Sequence, residues 1–329
     1  MLAGLLLGVL STSTQADWVV YQGRTGPGKQ KHLVFLAGDE EYRSEEGLPQ
    51  LAKILAVRHG FRCTVLFPMN DRGEIDPEAR QNQPGLEVLK TADACIMLLR
   101  FRAWPETQMK HFSDYLASGR PIIALRTSTH AFDYPADSNS PYAKFGWRSE
   151  AWPGGFGKQV LGENWISHWG IHGKQATLGI PEKLDHPTLK GVGPMFGDSD
   201  VYEVHPPSDA TVLARGRVLA GMKATDPPAD GQKKTVKGAE QRLNEPMMPV
   251  AWVRQYGQTK VVVTTMGAAT DLLDPDLRRF LVNSVYWTTG LSAHITDRLD
   301  VTLVGPYKPS PFGFGGFKKG VKPSDLALD

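Results

Sequence analysis

Three uninterrupted apolar runs, Leu33–Ala37, Ala94–Leu99 and Ile122–Leu125, constrain this chain more than any other feature. Each is short and lacks polar alternation, as expected of a strand buried on both faces. Cys63–Phe67 reads the same way. Between these runs the spacing turns helical. Leu48, Leu51, Ile54 and Leu55 recur on one face, with Pro49 tolerable in a first turn and Gly60 as the stop. A short helix is expected near Leu86–Lys90. Met109, Phe112, Tyr115 and Leu116 form another apolar face, opened by Pro105 and closed by Gly119. Further on, Pro249–Arg254 and Lys260–Met266 read as a hairpin around Tyr256-Gly257-Gln258, and Leu277 to Trp287 as a helix. This alternation predicts an α/β fold: a doubly wound, mostly parallel sheet with helices on both faces.

Two stretches depart from the pattern. Residues 133–175 are rich in Trp, Gly, Pro, Ser and Tyr, and so long an irregular stretch points to a functional or covering insertion. Residues 223–246 are polar and read as an exposed loop. The tail beyond Gly290, with Pro309-Ser310-Pro311 and Phe312-Gly313-Phe314, reads as a surface extension. The expected division is a signal peptide over 1–16, an α/β domain over 32–290, and the extension over 291–329.

Leu2–Leu10 is an apolar run followed by small polar residues, with Thr14 and Ala16 flanking a cleavage point. It is too short to span a bilayer, and no Lys or Arg precedes Leu2. The segment predicts export, to the periplasm or outside the cell, without a membrane span. A net charge of +2, from 37 basic and 35 acidic residues, gives no nucleic-acid footprint. Cys63 and Cys95 both lie in strand-like runs and read as core. If their strands flank a common strand, the thiols are too far apart to bridge.

In an open parallel sheet, ligands bind beyond the carboxyl ends of the strands. Polar clusters fall there repeatedly: Asp39, Glu40, Glu41 and Tyr42 after the first strand, and Arg100 and Arg102 around Phe101. Arg126, Thr127, Thr129 and His130 follow the Ile122–Leu125 run, and Thr270 and Asp271 come after Met266-Gly267. A strand running straight into a tight turn and a small-residue helix start is the nucleophile-elbow arrangement.

At this elbow the sequence resembles the trehalose-utilisation (ThuA-like) family, within the class I glutamine amidotransferase-like superfamily with its flavodoxin-like sheet. The resemblance runs from about His32 to Gly290. It includes His186-Pro187, Asp198-Ser199-Asp200-Val201-Tyr202, Pro249-Val250-Ala251-Trp252 and Val261–Gly267, before the helix bearing Asn283 and Trp287. Tyr307–Gly313 resembles an extension of one branch of the family. The amidotransferase pattern places a cysteine at the elbow, where Arg126 or Thr127 stands here, so glutamine hydrolysis through a thioester is excluded. Family members often carry histidines at the elbow and after the late glycine; Arg126 and Ala268 replace them.

The insertion adds His168, Trp169 and His172. Two histidines four apart can share a divalent metal such as zinc on a helix, although Gly170 and Gly173 argue against a helix. Histidine and tryptophan suit a sugar site equally, the ring facing the apolar side of a pyranose. The resemblance implies carbohydrate metabolism and a small-molecule carbohydrate partner. The expected activity is hydrolysis or acid/base chemistry on a sugar or oxidised sugar derivative. Glu40, Glu41, His130 and Asp271 are the candidate catalytic groups. Asp39, Tyr42, Arg100, Arg102, Arg126, Thr127, Thr129, His168, Trp169 and His172 are the candidate ligand contacts. The alternatives are a non-catalytic sugar-binding protein on a degenerate amidotransferase scaffold, and a hydrolase using Thr127 as nucleophile.

Overall fold

The computed structural model describes residues 17–328, so the N-terminal apolar segment read as a signal lies outside the described residues. In chain order the first half comprises β1 (Trp18–Gln22), β2 (His32–Gly38), α1 (Ser44–His59), β3 (Arg62–Leu66), β4 (Ala94–Leu99), α2 (Glu106–Ala117) and β5 (Ile122–Leu125). The second half adds nine short or medium strands. These are β6 (Ser167–His168), β7 (Thr177–Pro181), β8 (Met195–Gly197), β9 (Tyr202–Glu203), β10 (Thr211–Val218), β11 (Gln232–Lys234), β12 (Glu240–Arg242), β13 (Met248–Tyr256) and β14 (Thr259–Thr264). Helix α3 (Pro275–Thr288) follows them.

A ten-stranded sheet runs in the order β1-β3-β2-β4-β5-β14-β13-β10-β7-β8. From β3 to β14 neighbours are parallel, as the buried apolar runs require. Strand β1 and the block from β13 to β8 pair antiparallel. Of that block the sequence resolved the β13–β14 hairpin and left β10, β7 and β8 unread. Strand β10 alternates buried and part-exposed positions and carries Arg215, Gly216 and Arg217, which dilute its apolar signal.

Successive residues of β2 enter two separate cores. Leu33, Phe35 and Ala37 join a cluster that includes α1 and α3, while Val34 and Leu36 join one that includes α2. Fully burying Leu33, Val34, Phe35 or Leu36 contributes roughly 1.5–3 kcal/mol each, so β2 anchors both cores. Cys63 and Cys95 lie on β3 and β4, on either side of β2, and belong to opposite cores as free thiols.

Helix α1 ends where expected, on Gly60 at φ 83°. Residues 232–242, read from sequence as loop, form a small antiparallel hairpin of β11 and β12. The tail is tied to the rest of the chain by hydrogen bonds. Tyr307 Oη donates to Ala269 O, Ser310 N to Glu46, Ile75 N to Val321 O, and Tyr21 Oη to Leu326 O. Among the described residues, no helix is long and apolar enough to cross a membrane.

Candidate active site at the carboxyl edge of the sheet

Past Gly38 the chain reverses sharply. The Asp39 carboxylate accepts the amides of Glu41 at 2.7 Å and of Tyr42, and the Ser44 hydroxyl accepts those of Gly38 and Asp39. Asp39 also accepts the Thr127 hydroxyl, which ties the end of β2 to the elbow after β5. Burial, reinforced by the neighbouring Glu40 charge, pushes the Asp39 carboxyl up to about 6. Asp39 and Thr127 are fully buried and support the turn that projects Glu40, Glu41 and Tyr42.

Glu40 is enclosed by arginines. Its Oε1 meets Arg80 at 2.7 Å and Arg100 at 2.5 Å, and its Oε2 meets Arg102 at 3.0 Å. Arg102 is buried and also donates to Pro77 O and Arg100 O; desolvation lowers its pKa to about 10. Neither Glu40 nor Arg102 has a polar edge left to offer a ligand. Arg100 reaches further, with Nε 3.6 Å from Glu41 Oε2 and its guanidinium 4.5 and 4.9 Å from the rings of Phe101 and Phe314.

The elbow is present, and it carries Arg126 at φ 43°, in the left-handed region. Its amide donates to Met266 O at 3.2 Å. Gly267, at φ 118°, passes so close to Leu125 that an added Cβ would come within 2.8 Å of its side chain. The Arg126 guanidinium points back into the protein. It donates to Asp200 O at 2.6 Å, Thr265 O at 2.7 Å, Tyr42 Oη at 3.0 Å and Asp200 Oδ1 at 2.7 Å. The rings of Tyr42 and Tyr202 lie on it at 4.5 and 3.9 Å. Arg126 therefore stands behind the site and holds Asp200, with no face turned to a ligand.

The open part of the site is a histidine–aspartate cluster. Strands β6 and β9 pair Ser167 with Glu203 and His168 with Tyr202, which brings His168 beside Asp200. His168 Nδ1 lies 2.8 Å from Asp200 Oδ2. His172 Nδ1 lies 3.1 Å from Asp200 Oδ1, and its Nε2 is 3.2 Å from Glu41 Oε1. Hydrogen bonds to Asp200 and then Glu41 raise the His172 pKa to about 9. Burial pushes the Asp200 carboxyl up, but His168, His172 and Arg126 together outweigh it and hold it well below the usual carboxylate range. The His168 and His172 side chains remain 37% and 33% exposed, so solvent and ligand can reach them.

Aromatic rings rim the cluster. Trp165 lies 5.4 Å from His168, and Phe312, from the tail, lies 5.2 Å from His172 and 5.4 Å from Tyr42. The tail backbone is pinned here by Gly313 N to Glu41 O and by Arg43 Nη2 to Gly313 O. A cavity of about 810 Å³, lined by Arg80, Phe101, Tyr134 and Arg148 among others, adjoins the arginine side of the site and does not include the histidines.

Several sequence candidates lie elsewhere. Trp169 points opposite to His168, into the core, and donates to Leu243 O. His130 is buried among Phe101, Trp147, Trp165 and Tyr202; desolvation, with Arg100 and Arg126 nearby, drives its pKa well down. Thr129 contacts Arg126 O and the His130 ring. Asp271 is buried and accepts Ser199 Oγ and the amides of Gly267 and Ala268. It thereby shapes the turn after β14. Conversely, Asp200, Tyr202 and Phe312 were not among the sequence candidates. Their only signal was membership of short motifs, which carry no information about which side chains converge.

The family model described as trehalose utilisation matches residues 33–288. Among solved structures, a ThuA-like protein from Parabacteroides merdae aligns with a TM-score of 0.50 at 12% identity, covering 79% of this chain and 90% of that one. A ThuA-like protein from Bacteroides uniformis aligns with a TM-score of 0.49 at 15% identity, covering 82% and 95%. At 12% identity the first of these likenesses speaks to the fold alone. No match was found among curated proteins.

Proposed function

This chain belongs to the trehalose-utilisation family, and from that premise we propose that it is an enzyme acting on a sugar or oxidised sugar derivative by hydrolysis or acid/base chemistry. The family description supports a carbohydrate-related role. The observation that carries the chemistry is the convergence of His168 and His172 on one buried carboxylate, Asp200, with Glu41 on the far side of His172. A histidine oriented by a carboxylate is a standard arrangement for proton transfer, and Glu41 offers a second group within reach. Arg126 is the positioning residue that holds Asp200. Phe312 and Trp165 supply apolar faces for a sugar ring. No cysteine nucleophile takes part in this reading, because both thiols are buried in strands.

The test is turnover. Full-length protein is incubated with disaccharides, keto-sugars and sugar acids, and products are followed by mass spectrometry, beside His168→Gln. Product formation that the variant loses supports the enzyme; sugar binding with no turnover by either protein replaces it with a non-catalytic receptor. We further propose export, on the strength of the first sixteen residues. An intact N-terminus on protein recovered from cells would overturn that part.

A further inference from the structure

The same cluster has the composition and support of a metal centre, and we infer that His168, His172 and Asp200 bind one divalent first-row transition-metal ion. This deepens the reading above and concerns the same residues. The candidate ligating atoms, one from each of the three residues, all lie within 4.8 Å of one another. A tetrahedral ion with ligands at ~2.1 Å spaces them about 3.4 Å apart. The Asp200 contacts to the two Nδ1 atoms, 2.8 and 3.1 Å, are already at that scale. The widest spacing in the set, at most 4.8 Å, would close by rotation of an imidazole, and both rings are part-exposed.

The surroundings match what such centres require. A metal-bound histidine usually donates its other ring nitrogen to a carboxylate, and His172 Nε2 faces Glu41 Oε1 at 3.2 Å. A ligating carboxylate is in turn fixed by other donors, and Arg126 holds both Asp200 Oδ1 and the Asp200 carbonyl. Two imidazoles and one carboxylate favour zinc, iron or cobalt over magnesium or calcium, which prefer oxygen alone. Three protein ligands leave a coordination position open, as at catalytic rather than structural sites. Trp165 and Phe312 stand beside the two rings, 5.4 Å from His168 and 5.2 Å from His172.

The test is binding, read without any assay of turnover. Full-length protein is stripped with chelator and titrated with Co²⁺, whose visible absorption reports nitrogen and oxygen ligation, and with Zn²⁺ against a chromophoric competitor. One ion per chain is expected, with an intense tetrahedral Co²⁺ spectrum. His168→Ala, at a part-exposed position, should fold normally by circular dichroism and lose at least ~100-fold in Zn²⁺ affinity, with the spectrum abolished. Glu41→Gln should retain one ion and lose about 10- to 100-fold, as outer partners of ligands do. A wild-type protein that binds Zn²⁺ no better than His168→Ala overturns the inference. No Zn²⁺ or Co²⁺ binding by a protein that still turns over sugar would sink the metal while leaving the enzyme standing. Tight stoichiometric binding without turnover would do the reverse.

Discussion

Two charged clusters meet at Glu41, and they differ in kind. On one side Arg100 Nε approaches Glu41 Oε2, and behind it Glu40 is enclosed by Arg80, Arg100 and Arg102. On the other side His172 faces Glu41 Oε1, and behind it Asp200 gathers His168, His172 and Arg126. Both clusters centre on a buried carboxylate with several cationic or imidazole neighbours. In the arginine cluster every strong acceptor of Glu40 is committed to a donor that is always charged. In the histidine cluster the partners are groups that can lose a proton or take a metal, and they stand part-exposed. Saturation by arginine makes a structural knot; imidazole on an anchored carboxylate leaves chemistry available.

That contrast predicts which side chains act through stability and which through activity. The largest loss of stability is expected for Arg126→Ala. It strips a fully buried guanidinium from Asp200 and should cost about 3–5 kcal/mol in denaturant unfolding. Unchanged stability with lost ligand binding would put Arg126 back among the ligand contacts. Glu40→Ala comes next, at roughly 2–3 kcal/mol, because it strands three arginines, one of them half-exposed and readily rehydrated. Retention of full stability would mean that the arginine knot is not structural.

A third variant acts in the opposite direction. Glu45 is buried in the first turn of α1 with neither carboxylate oxygen partnered by a side chain; desolvation, with Glu46 and Asp39 adding to it and Arg43 opposing, raises its pKa to about 8. The folded protein therefore keeps a proton that the unfolded chain releases near the ordinary glutamate value. Stability must fall as pH rises between these two values, by at most ~1.4 kcal/mol per pH unit. Glu45→Gln should remove that slope and raise Tm at pH 8 while changing little at pH 4.5. Parallel Tm profiles for the two proteins would show that Glu45 does not titrate this way. Phe312→Ala should cost about 1 kcal/mol of stability and weaken sugar binding several-fold, measured by calorimetry. Equal affinity would remove the tail from the site. His168→Gln is the smallest in stability, within ~0.5 kcal/mol, yet should lower turnover by at least ~100-fold. If it unfolds the protein instead, the histidine cluster is as structural as the arginine one.

Much of the frame was legible in the sequence. The runs at Leu33, Ala94 and Ile122 became the adjacent parallel strands β2, β4 and β5, because continuous burial leaves a chain few other options. Gly60, Pro105 and Gly119 punctuated helices as their backbone preferences dictate. The elbow was visible at Arg126, and the hairpin at Tyr256. The strand ends were legible as places where charged groups gather, and only the fold sorted those groups. Arg126 and Arg102 turned inward, Trp169 entered the core, and His168 and His172 stayed open.

What the sequence determined by itself was local: which segments bury both faces, where helices stop, and which strand ends carry charge. These follow from side-chain hydrophobicity and backbone preference over a few residues. Tertiary structure alone decided that Asp200 lies between two histidines some thirty positions earlier, and that Phe312 returns to Tyr42 from the far end of the chain. The two-residue pairing of β6 with β9 sets the first meeting, and the tail's hydrogen bonds to Glu41 and Arg43 set the second. Neither leaves a periodic trace, because a side chain's direction into a shared cluster depends on register between distant segments rather than on its neighbours in sequence.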